Sequence, residues 1–414
     1  MARDAHGSPL PPALPLAGTR TLELAHIIAG PSGGLLLADL GSDVIKIESP
    51  DGGDQARRWK GNYSFTAFNR NKRSVALDLK HPEGKAVFER LVATADVVLD
   101  NYSPGVLDRL GIGYEWGRQV NPRVIYCSVK GFTPGPYGNR PFLDELAQMM
   151  GGLAYMTGPV GQPLRAGASI IDIGAATYGV MGVLAALYQR ALTGRGQYVQ
   201  SGLFETTVFW MAQHVAAVSA TGEEVLPMAA RGMGRRMGWG VYDLFETADG
   251  EQLFVAITSN AHWERFCREF DLLDLAQRPD LATNDLRCDN RDSYMPRLRA
   301  LIGALPRDEI VRRLSAIDVP YAPVNKPGDL LRDEHLRSDG HLLPVETPAG
   351  EPALTPALPM VSSEYAYAVR HEPPRLGEHT AAVLAELGYA EPDVARLAAE
   401  KVILLGERLN NADH

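Results

Sequence analysis

The sequence has few cysteines, and their positions form no pattern. Three occur in 414 residues, Cys127, Cys267 and Cys288, and their spacing fits neither a zinc site nor a disulfide framework. Free thiols persist in reducing compartments, so we expect a cytoplasmic protein. Because the cysteine spacing fits no zinc site, we also expect no bound metal ion.

Long apolar runs and an excess of positive charge are also lacking. No run reaches about 18 uninterrupted apolar residues, so we expect no transmembrane helix and no membrane partner. The formal net charge is −9, which gives no global electrostatic support for binding nucleic acid. The N-terminal segment shows no signal-peptide pattern, and we expect a flexible lead over residues 1–15.

Strand-like and helix-like segments alternate through the first half of the sequence. TLELAHII, VIKIE, SVALDL, DVVLDNY and VIYCSVKGF are typical of strands, and HPEGKAVFERLVATA is typical of a helix. AGPSGG predicts a tight turn between the first strand and an apolar helix. The alternation predicts an open, doubly wound parallel α/β sheet, whose functional residues lie in loops at the carboxyl ends of the strands.

The second half of the sequence predicts a smaller α+β unit. Residues 142–189 are helical in pattern, and the loop AARGMGRRMGWG then breaks the periodicity. VYDLFETADGEQLFVAI predicts a hairpin that turns at Asp249 and Gly250. The strand-like stretch VPYAPVN closes this unit near residue 325, and the remainder is proline-rich and extended before two short predicted helices.

The glycine-rich segment AGPSGG admits two interpretations. A strand, a glycine turn and a helix can present backbone N–H groups to a phosphate, and Glu48 ends the next strand about 20 residues on, as in dinucleotide binders. The spacing is not G-x-G-x-x-G, however, since Pro31 and Ser32 interrupt it. NAD binding is therefore disfavoured, and a tight turn that lets helix and strand pack accounts for the same residues.

Basic residues recur close to the predicted strands. The run from Asn69 to Arg73 precedes the third strand, and such runs are usually solvated. Lys80 and Arg109 lie near the ends of other α/β units. Together these cations could bind the phosphates of a nucleotide, and the spacing alone leaves both interpretations open.

Asp172 stands out because apolar and small residues surround it in AGASIIDIGAATYG. Burial of a charged carboxylate costs solvation free energy, so a carboxylate in an apolar segment is expected to have a specific structural or catalytic function. It is either the N-cap of the following helix or a catalytic group, and the two roles are compatible because a helix N-terminus stabilises a carboxylate. No histidine lies between His81 and His214, which leaves no local base, and His26 beside the glycine segment is more often structural.

Seven segments together resemble the class III coenzyme A transferases, a family that also contains the α-methylacyl-CoA racemases. They span about residues 15 to 395 and read AGPSGGLLLADLGSDVIKIESPDGGD, NRNKRSVALDLKHPEGK, DNYSPGVLDRLGI, NPRVIYCSVKGF, LTGRGQYV, VPYAPV and LGEHTAAVLAELGY. The resemblance implies an interlocked, ring-like homodimer. Each chain would have a large Rossmann-like domain over residues 16–224, a small α+β domain over 225–328, and a return segment over 329–414 that completes the large domain.

The resemblance also assigns site residues. Asp172 aligns with the catalytic aspartate through PLRAGASIIDIG. Contacts to coenzyme A (CoA) fall on Ile27, Ile28, Ala29, Leu77, Lys80, Asn101, Tyr102, Arg109 and Leu110. Ser49 replaces a basic family residue, so one phosphate or adenine contact is lost or supplied elsewhere.

The loop GMGRRMGWG departs from the glycine run of the formyl-CoA transferases. This difference argues against formyl-CoA and oxalate as substrates. Arg235 and Arg236 in the loop are candidates for binding a substrate carboxylate, because arginine pairs well with that group.

The implied reaction moves CoA from an acyl-CoA donor, such as succinyl-CoA or another dicarboxylyl-CoA, to a carboxylic acid acceptor. Asp172 would form an aspartyl anhydride and then an aspartyl-CoA thioester, with no cofactor besides the CoA substrate. Racemisation is a weaker alternative, since the family's catalytic histidine aligns with Leu143, directly before Asp144, and leucine cannot take a proton. A catalytically silent CoA-binding protein stays open as a second alternative.

Overall fold

The computed structural model describes residues 14–59, 61–227 and 238–406. Within these residues the chain forms two compact units. The first comprises 14–153, 165–219 and 334–406, and the second comprises 154–164 and 220–333 except for the undescribed stretch. The chain therefore leaves the first unit twice and returns to it each time.

The strands are short and belong to three sheets among the described residues. In chain order they are β1 (Arg20–Leu24), β2 (Asp43–Glu48), β3 (Lys72–Leu77), β4 (Val97–Asp100), β5 (Ile125–Lys130), β6 (Tyr198–Gly202), β7 (Val241–Glu246), β8 (Gln252–Ile257), β9 (Tyr321–Pro323), β10 (Leu342–Glu346), β11 (Pro352–Pro356) and β12 (Ile403–Leu404).

Helices connect most of the strands. They are α1 (Ala29–Asp39), α2 (Tyr63–Phe68), α3 (Pro82–Thr94), α4 (Val106–Arg109), α5 (Tyr114–Val120), α6 (Asp144–Met150), α7 (Leu153–Thr157), α8 (Ile170–Thr193), α9 (Leu203–Trp210), α10 (Ala212–Thr221), α11 (Asn260–Glu269), α12 (Leu273–Ala276), α13 (Asn284–Asp289), α14 (Met295–Gly303), α15 (Arg307–Ala316), α16 (Pro327–Leu330), α17 (Glu334–Arg337), α18 (Thr380–Glu386) and α19 (Glu391–Ala399). Single 3₁₀ turns occur at Gln55–Arg58, Pro279–Leu281 and Arg291–Ser293.

The main sheet of the first unit has the strand order β12-β3-β2-β1-β4-β5-β6. All neighbouring pairs from β3 to β6 are parallel, which confirms the predicted parallel α/β sheet. The chain order reverses between β1 and β4, and open sheets of this kind bind ligands at that reversal. The parallel arrangement ends at one edge, where the two-residue strand β12 pairs antiparallel with β3.

Both faces of the main sheet are covered, because alternate side chains of its strands enter different cores. On β4, Val98 belongs to the core that contains Phe88 of α3, whereas Val97 and Leu99 belong to the core that contains Leu37 of α1. This packing explains why the strands read as nearly continuous apolar runs.

Helix α8 is the one described helix that is long and apolar enough, by length and composition, to cross a membrane. It packs against α1, β5 and β6 within the first unit, and 44% of its most apolar window is buried there. This packing accounts for much of its apolar character, so the finding is weak support for a membrane span.

The glycine-rich segment AGPSGG is not a turn, which corrects the sequence-based prediction. Helix α1 already begins at Ala29, and the turn occupies residues 25–28. The glycines serve close packing instead: a Cβ added to Gly30 would lie 2.3 Å from the Cβ of Ala25, and one on Gly34 would lie 1.8 Å from Glu23 Oε2. The expectation that this segment lets helix and strand pack is confirmed.

The second unit contains a three-stranded antiparallel sheet covered by helices. Strands β7 and β8 form the predicted hairpin, with Gly250 at φ +76° in its turn, and β9 pairs with β8 on the other side. Its core includes Phe245 of β7, Trp263 of α11 and Leu298 of α14, all buried.

Candidate functional site

A cavity of about 450 Å³ opens at the carboxyl ends of β1, β4 and β5, where the strand order reverses. Its walls come from the β1–α1 turn, the loop after β4, the segment between β5 and α6, and the N-terminus of α8. Asp172 and five of the predicted CoA-contact residues line it, namely Ile27, Ile28, Ala29, Asn101 and Tyr102. The fold thus brings together residues that are widely separated in the sequence.

Four other predicted CoA-contact residues lie outside this cavity. Leu77 is buried in the core at the end of β3, and Leu110 packs partly buried against the same core. Lys80 follows β3 and Arg109 ends α4, and both are exposed. Lys80 thus follows β3 and Arg109 follows β4, two strands that β2 and β1 separate in the sheet.

Three further predicted positions add no described residue to this cavity. Arg235 and Arg236 lie outside the described residues. Ser49 is exposed after β2, where its hydroxyl accepts a hydrogen bond from the backbone N–H of Asp51 at 3.2 Å.

Asn101 joins two walls of the cavity. Its side-chain carbonyl accepts from the backbone N–H of His26 at 3.0 Å, and its amide donates to the carbonyl of His26 at 2.9 Å. The ring of His26 lies 5.3 Å from that of Tyr102, and burial lowers the pKa of His26. The backbone of His26 thus connects the loops after β1 and β4, as expected for a structural residue.

Asp172 occupies the third position of α8 and does not cap it, so the N-cap interpretation was wrong. The N-cap residue is Ser169, and the backbone N–H groups of Ile171 and Asp172 donate to Asp144 Oδ2 at 2.8 and 3.0 Å. A carboxylate from α6 therefore caps α8. The sequence offers little signal for this contact, because Asp144 and Asp172 are separated by two loops and a helix.

Asp144 is held in place on its other side by Gln148, one turn further along α6. The Gln148 amide donates to Asp144 Oδ1, and its carbonyl accepts from the backbone N–H of Ala166 at 2.8 Å. Asp144 and Gln148 are both buried. A short chain of hydrogen bonds therefore fixes the Asp144 carboxylate at the N-terminus of α8.

These surroundings disfavour the ionised form of Asp172. Burial, and then the negative charges of Asp144 and Glu145, raise the pKa of Asp172 to about 7. A carboxylate that loses solvation and faces like charge is a candidate functional group, because structural carboxylates normally gain compensating partners.

The raised pKa predicts a pH dependence. If the ionised carboxylate of Asp172 is the reacting group, kcat/KM should rise with pH through about 7 and then level off. Asp144→Asn removes a repelling charge and should move the midpoint to lower pH, although burial keeps it above the ordinary aspartate value of about 4. Initial rates measured from about pH 5 to about pH 9 test both points. A wild-type profile that is flat over this range would contradict them.

Two cations line the cavity that the sequence-based assignment did not include. Lys130, at the end of β5, donates to the Asp100 carboxylate and to the carbonyl of Tyr102, the latter at 2.7 Å, and so supports the wall after β4. Arg140 is exposed, its guanidinium carbon lies 5.1 Å from the ring centroid of Tyr137, and no described carboxylate pairs with it. Arg140 is thus available to an anionic ligand.

Two cations of the basic run at the start of β3, Arg70 and Lys72, are neither solvated nor directed at the cavity. Arg70 is fully buried, and its guanidinium lies 2.6 Å from Asp39 Oδ2. Lys72 is also fully buried, and its ammonium lies 2.6 Å from Glu23 Oε2. These cations neutralise carboxylates of α1 and β1 inside the first unit.

Glu48, the residue that prompted the dinucleotide alternative, is fully engaged within the protein. Its carboxylate accepts from the guanidinium of Arg57 at 2.7 and 2.8 Å and from the hydroxyl of Ser74 at 2.6 Å. Burial would raise the pKa of Glu48, but Arg57 holds it below the ordinary value. The carboxylate is therefore not presented to a ribose, which counts against NAD binding.

Comparison with known proteins identifies the family. The model of CoA-transferase family III matches residues 16–380. The chain belongs to this family. The resemblance found in the sequence is thereby confirmed, and the family III chain is an enzyme that transfers CoA between an acyl-CoA and a carboxylic acid.

Relatives of this family III transferase cover nearly the whole chain. The succinyl-CoA–L-malate CoA-transferase β subunit of Chloroflexus aurantiacus is 33% identical over 94% of this chain and 98% of its own length. The formyl-CoA:oxalate CoA-transferase of Rhodopseudomonas palustris (strain TIE-1) is 33% identical over 92% and 96%. Among solved structures, a CAIB/BAIF family protein from Brucella suis matches with a TM-score of 0.81 and 33% identity, covering 91% of this chain and 100% of that one.

Proposed function

We propose that Asp172 is the covalent nucleophile of this CoA-transferase. The supporting observation concerns the three carboxylates that line the cavity, Asp144, Glu145 and Asp172. Asp144 accepts two backbone hydrogen bonds, and Glu145 lies 3.2 Å from the guanidinium of Arg165. The oxygens of Asp172 have no hydrogen-bond or ion-pair partner among the described residues, so this carboxylate is free to react.

The proposed reaction begins when an Asp172 oxygen attacks the carbonyl carbon of the donor thioester. The C–S bond breaks, giving a mixed anhydride and the CoA thiolate. The thiolate then attacks Cγ of Asp172, which releases the donor acid as a carboxylate and leaves an aspartyl-CoA thioester. Each step exchanges one anion for another, so no proton transfer is required.

The second half of the reaction reverses these events with the acceptor. The acceptor carboxylate attacks Cγ of Asp172 and releases the thiolate, and the thiolate attacks the acceptor acyl carbon to regenerate Asp172. The absence of a base requirement agrees with Leu143, an exposed residue of the cavity wall that cannot carry a proton. Deuterium exchange at the α-carbon of a 2-methylacyl-CoA would instead indicate racemisation.

We propose dicarboxylates as the acids, with succinyl-CoA or another dicarboxylyl-CoA as the donor. One similar enzyme is named for succinyl-CoA and L-malate and another for succinate and glutarate, all of which are dicarboxylic acids or derive from one. The relative named for formyl-CoA and oxalate has a dicarboxylic acid as its acceptor only. Arg140 offers an unpaired guanidinium at the cavity, and such a group binds carboxylates well. Arg235 and Arg236 remain further candidates for this role.

A matrix of donors and acceptors, read by mass spectrometry of the acyl-CoA products, tests the substrate class. We expect transfer to four- and five-carbon dicarboxylates and little transfer to monocarboxylates of equal length. Equal rates with both kinds of acid would contradict the proposed selection by charge.

We further propose that Lys80 and Arg109 bind the phosphates of CoA, while Ile27–Ala29, Leu77, Asn101, Tyr102 and Leu110 contact the rest. Lys80 and Arg109 are exposed and form no salt bridge with described residues. Several separated cations suit a multiply charged ligand.

Replacing Lys80 or Arg109 by alanine is predicted to raise the Kd for CoA by roughly tenfold each, since an exposed charge-assisted contact contributes about 1 to 1.5 kcal/mol. The loss should shrink as salt rises, because screening weakens the wild-type contact. Calorimetric titration of CoA and dephospho-CoA measures it, with Arg312→Ala as a control at an exposed cation of the second unit. Unchanged affinity for CoA in both variants would contradict the assignment of Lys80 and Arg109 to the CoA phosphates.

We also propose the interlocked homodimer. Several large apolar side chains stay exposed on α6, α8 and α9, which is unusual for a monomer: Leu146, Met149, Met181, Tyr188, Leu192 and Phe209. Sedimentation should show a species of twice the chain mass, and chains that thread each other should not separate on dilution short of unfolding. A monomer at assay concentration would contradict the proposal.

A further inference from the structure

Ile27 adopts a backbone conformation that its side chain disfavours. Its φ is +69°, in the left-handed region that β-branched residues rarely enter. It lies in the turn between β1 and α1 and lines the cavity. Strained residues persist only where the surrounding structure holds them, and they concentrate at functional sites.

Asp54 holds this residue directly. The backbone N–H of Ile27 donates to Asp54 Oδ1 at 2.9 Å, and the same oxygen accepts from the N–H of Ala56 at 2.9 Å. Asp54 lies 27 positions away, in the loop that follows β2, and its side chain is fully buried. The turn is thus fixed by a carboxylate from another part of the chain.

Asp54 is in turn fixed by a buried array of alternating charges. Lys46 Nζ lies 2.9 Å from Asp54 Oδ2 and 2.8 Å from Glu23 Oε1, and Lys72 Nζ lies 2.6 Å from Glu23 Oε2. The side chains of all four residues are fully buried. Such an array costs desolvation energy, and buried charges of this kind are retained in some proteins because they specify one conformation.

The array holds the turn from both sides. Lys46 Nζ also donates to the carbonyl of Ala25 at 2.8 Å, at the start of the turn, while Asp54 accepts from the N–H of Ile27 further along it. Helix α1 begins two residues after Ile27. The position of Ile28, Ala29 and the first N–H groups of α1 therefore depends on the conformation at Ile27.

We propose that Asp54 is a positioning residue for the acyl-CoA substrate: by holding Ile27 in the left-handed conformation, it places residues 27–29 against the bound CoA. This inference rests on the proposed CoA contacts of Ile27, Ile28 and Ala29. Asp54 touches neither the substrate nor Asp172, so its effect is on binding and not on the chemical steps.

A double-mutant cycle between positions 54 and 27 tests the proposal, because glycine adopts positive φ without steric cost. In the wild-type background, Asp54→Ala should raise KM for the acyl-CoA and the calorimetric Kd for CoA by roughly tenfold, as expected when a strained conformation is released. In the Ile27→Gly background the same change should raise them by less than about twofold. The kcat at saturating acyl-CoA should change little in both backgrounds.

A merely structural role for Asp54 gives a different result. The loss of affinity would then be equal in the two backgrounds, because unpairing Lys46 has the same consequence with either residue at 27, and the proposal would be overturned. If Asp54→Ala does not fold, Asp54→Asn separates the two roles instead, because its carbonyl can still accept from the N–H of Ile27 while the charge that faces Lys46 is lost. The proposal then predicts near-wild-type affinity for CoA, and a marked loss of affinity in this variant would overturn it. Direct titration with CoA separates this outcome from the Asp172 proposal, which predicts loss of transfer without loss of CoA binding.

Discussion

Asp172→Asn should abolish CoA transfer, with kcat/KM falling by a factor on the order of 10³ or more, as when an essential nucleophile is removed. The variant should still fold and bind CoA, because the side chain of Asp172 caps no helix and pairs with no described residue. Helix α8 keeps its cap, since Asp144 accepts the backbone N–H of residue 172 whichever side chain is present.

The same variant should be more stable than the wild type in mildly alkaline solution. The pKa of Asp172 is raised to about 7 in the folded protein, above the ordinary value near 4, so the folded state holds the proton more tightly than the unfolded chain. Ionised Asp172 therefore costs stability, a cost absent below pH about 4 and complete above pH about 7. Asparagine carries no charge, so the Asp172→Asn variant does not have this cost. Thermal unfolding at about pH 5 and about pH 8 should show the gain growing with pH; a loss of stability at the higher pH would place Asp172 among the structural residues.

Arg70→Met should lower the free energy of unfolding by about 3 to 5 kcal/mol, because it leaves a buried carboxylate without its counter-ion. The guanidinium of Arg70 bonds Asp39 at 2.6 Å and the hydroxyl of Thr355 at 2.9 Å, all inside the first unit. Urea denaturation measures the loss. Lys80→Met, at an exposed cation of the same unit, is the matched control and should cost less than about 0.5 kcal/mol.

A loss below about 1 kcal/mol for Arg70→Met would mean that Asp39 finds another partner or takes up a proton. The amide of Asn71, which donates to Asp39 at 2.8 Å, is the partner already in place. Combining Asn71→Ala with Arg70→Met should then lower the free energy of unfolding further, because Asp39 loses this second partner as well.

The sequence predicts the regular elements of the sheet because hydrophobic pattern and turn residues are local signals. Strands β2 and β5 and the hairpin of β7 and β8 lie where VIKIE, VIYCSVKGF and the Asp249-Gly250 turn place them. The sequence does not predict β12, because a two-residue strand has no hydrophobic periodicity and is defined only by its pairing with β3.

The site is predicted less completely, because its geometry depends on contacts between distant residues. Asp172 can be found from one carboxylate among small apolar residues together with the family resemblance. Its cap Asp144 and the burial of Arg70 cannot, since their partners follow from how α6, α8 and α1 pack. The sequence also does not predict the left-handed conformation at Ile27. Isoleucine rarely adopts a positive φ, and the glycines of AGPSGG suggest that the turn lies a few residues later.

The central claim is that Asp172 becomes an activated acyl group during transfer, and trapping with hydroxylamine tests it most directly. The enzyme should be incubated with an acyl-CoA donor and hydroxylamine, and its peptides mapped by mass spectrometry. We expect inactivation that requires the donor, with a hydroxamate at Asp172, because an unactivated carboxylate does not react with hydroxylamine. A hydroxamate at Asp144, or at Glu205 of α9, whose carboxylate accepts hydrogen bonds from Thr133, would assign the nucleophile elsewhere. Continued transfer with no modified residue would contradict covalent catalysis by Asp172.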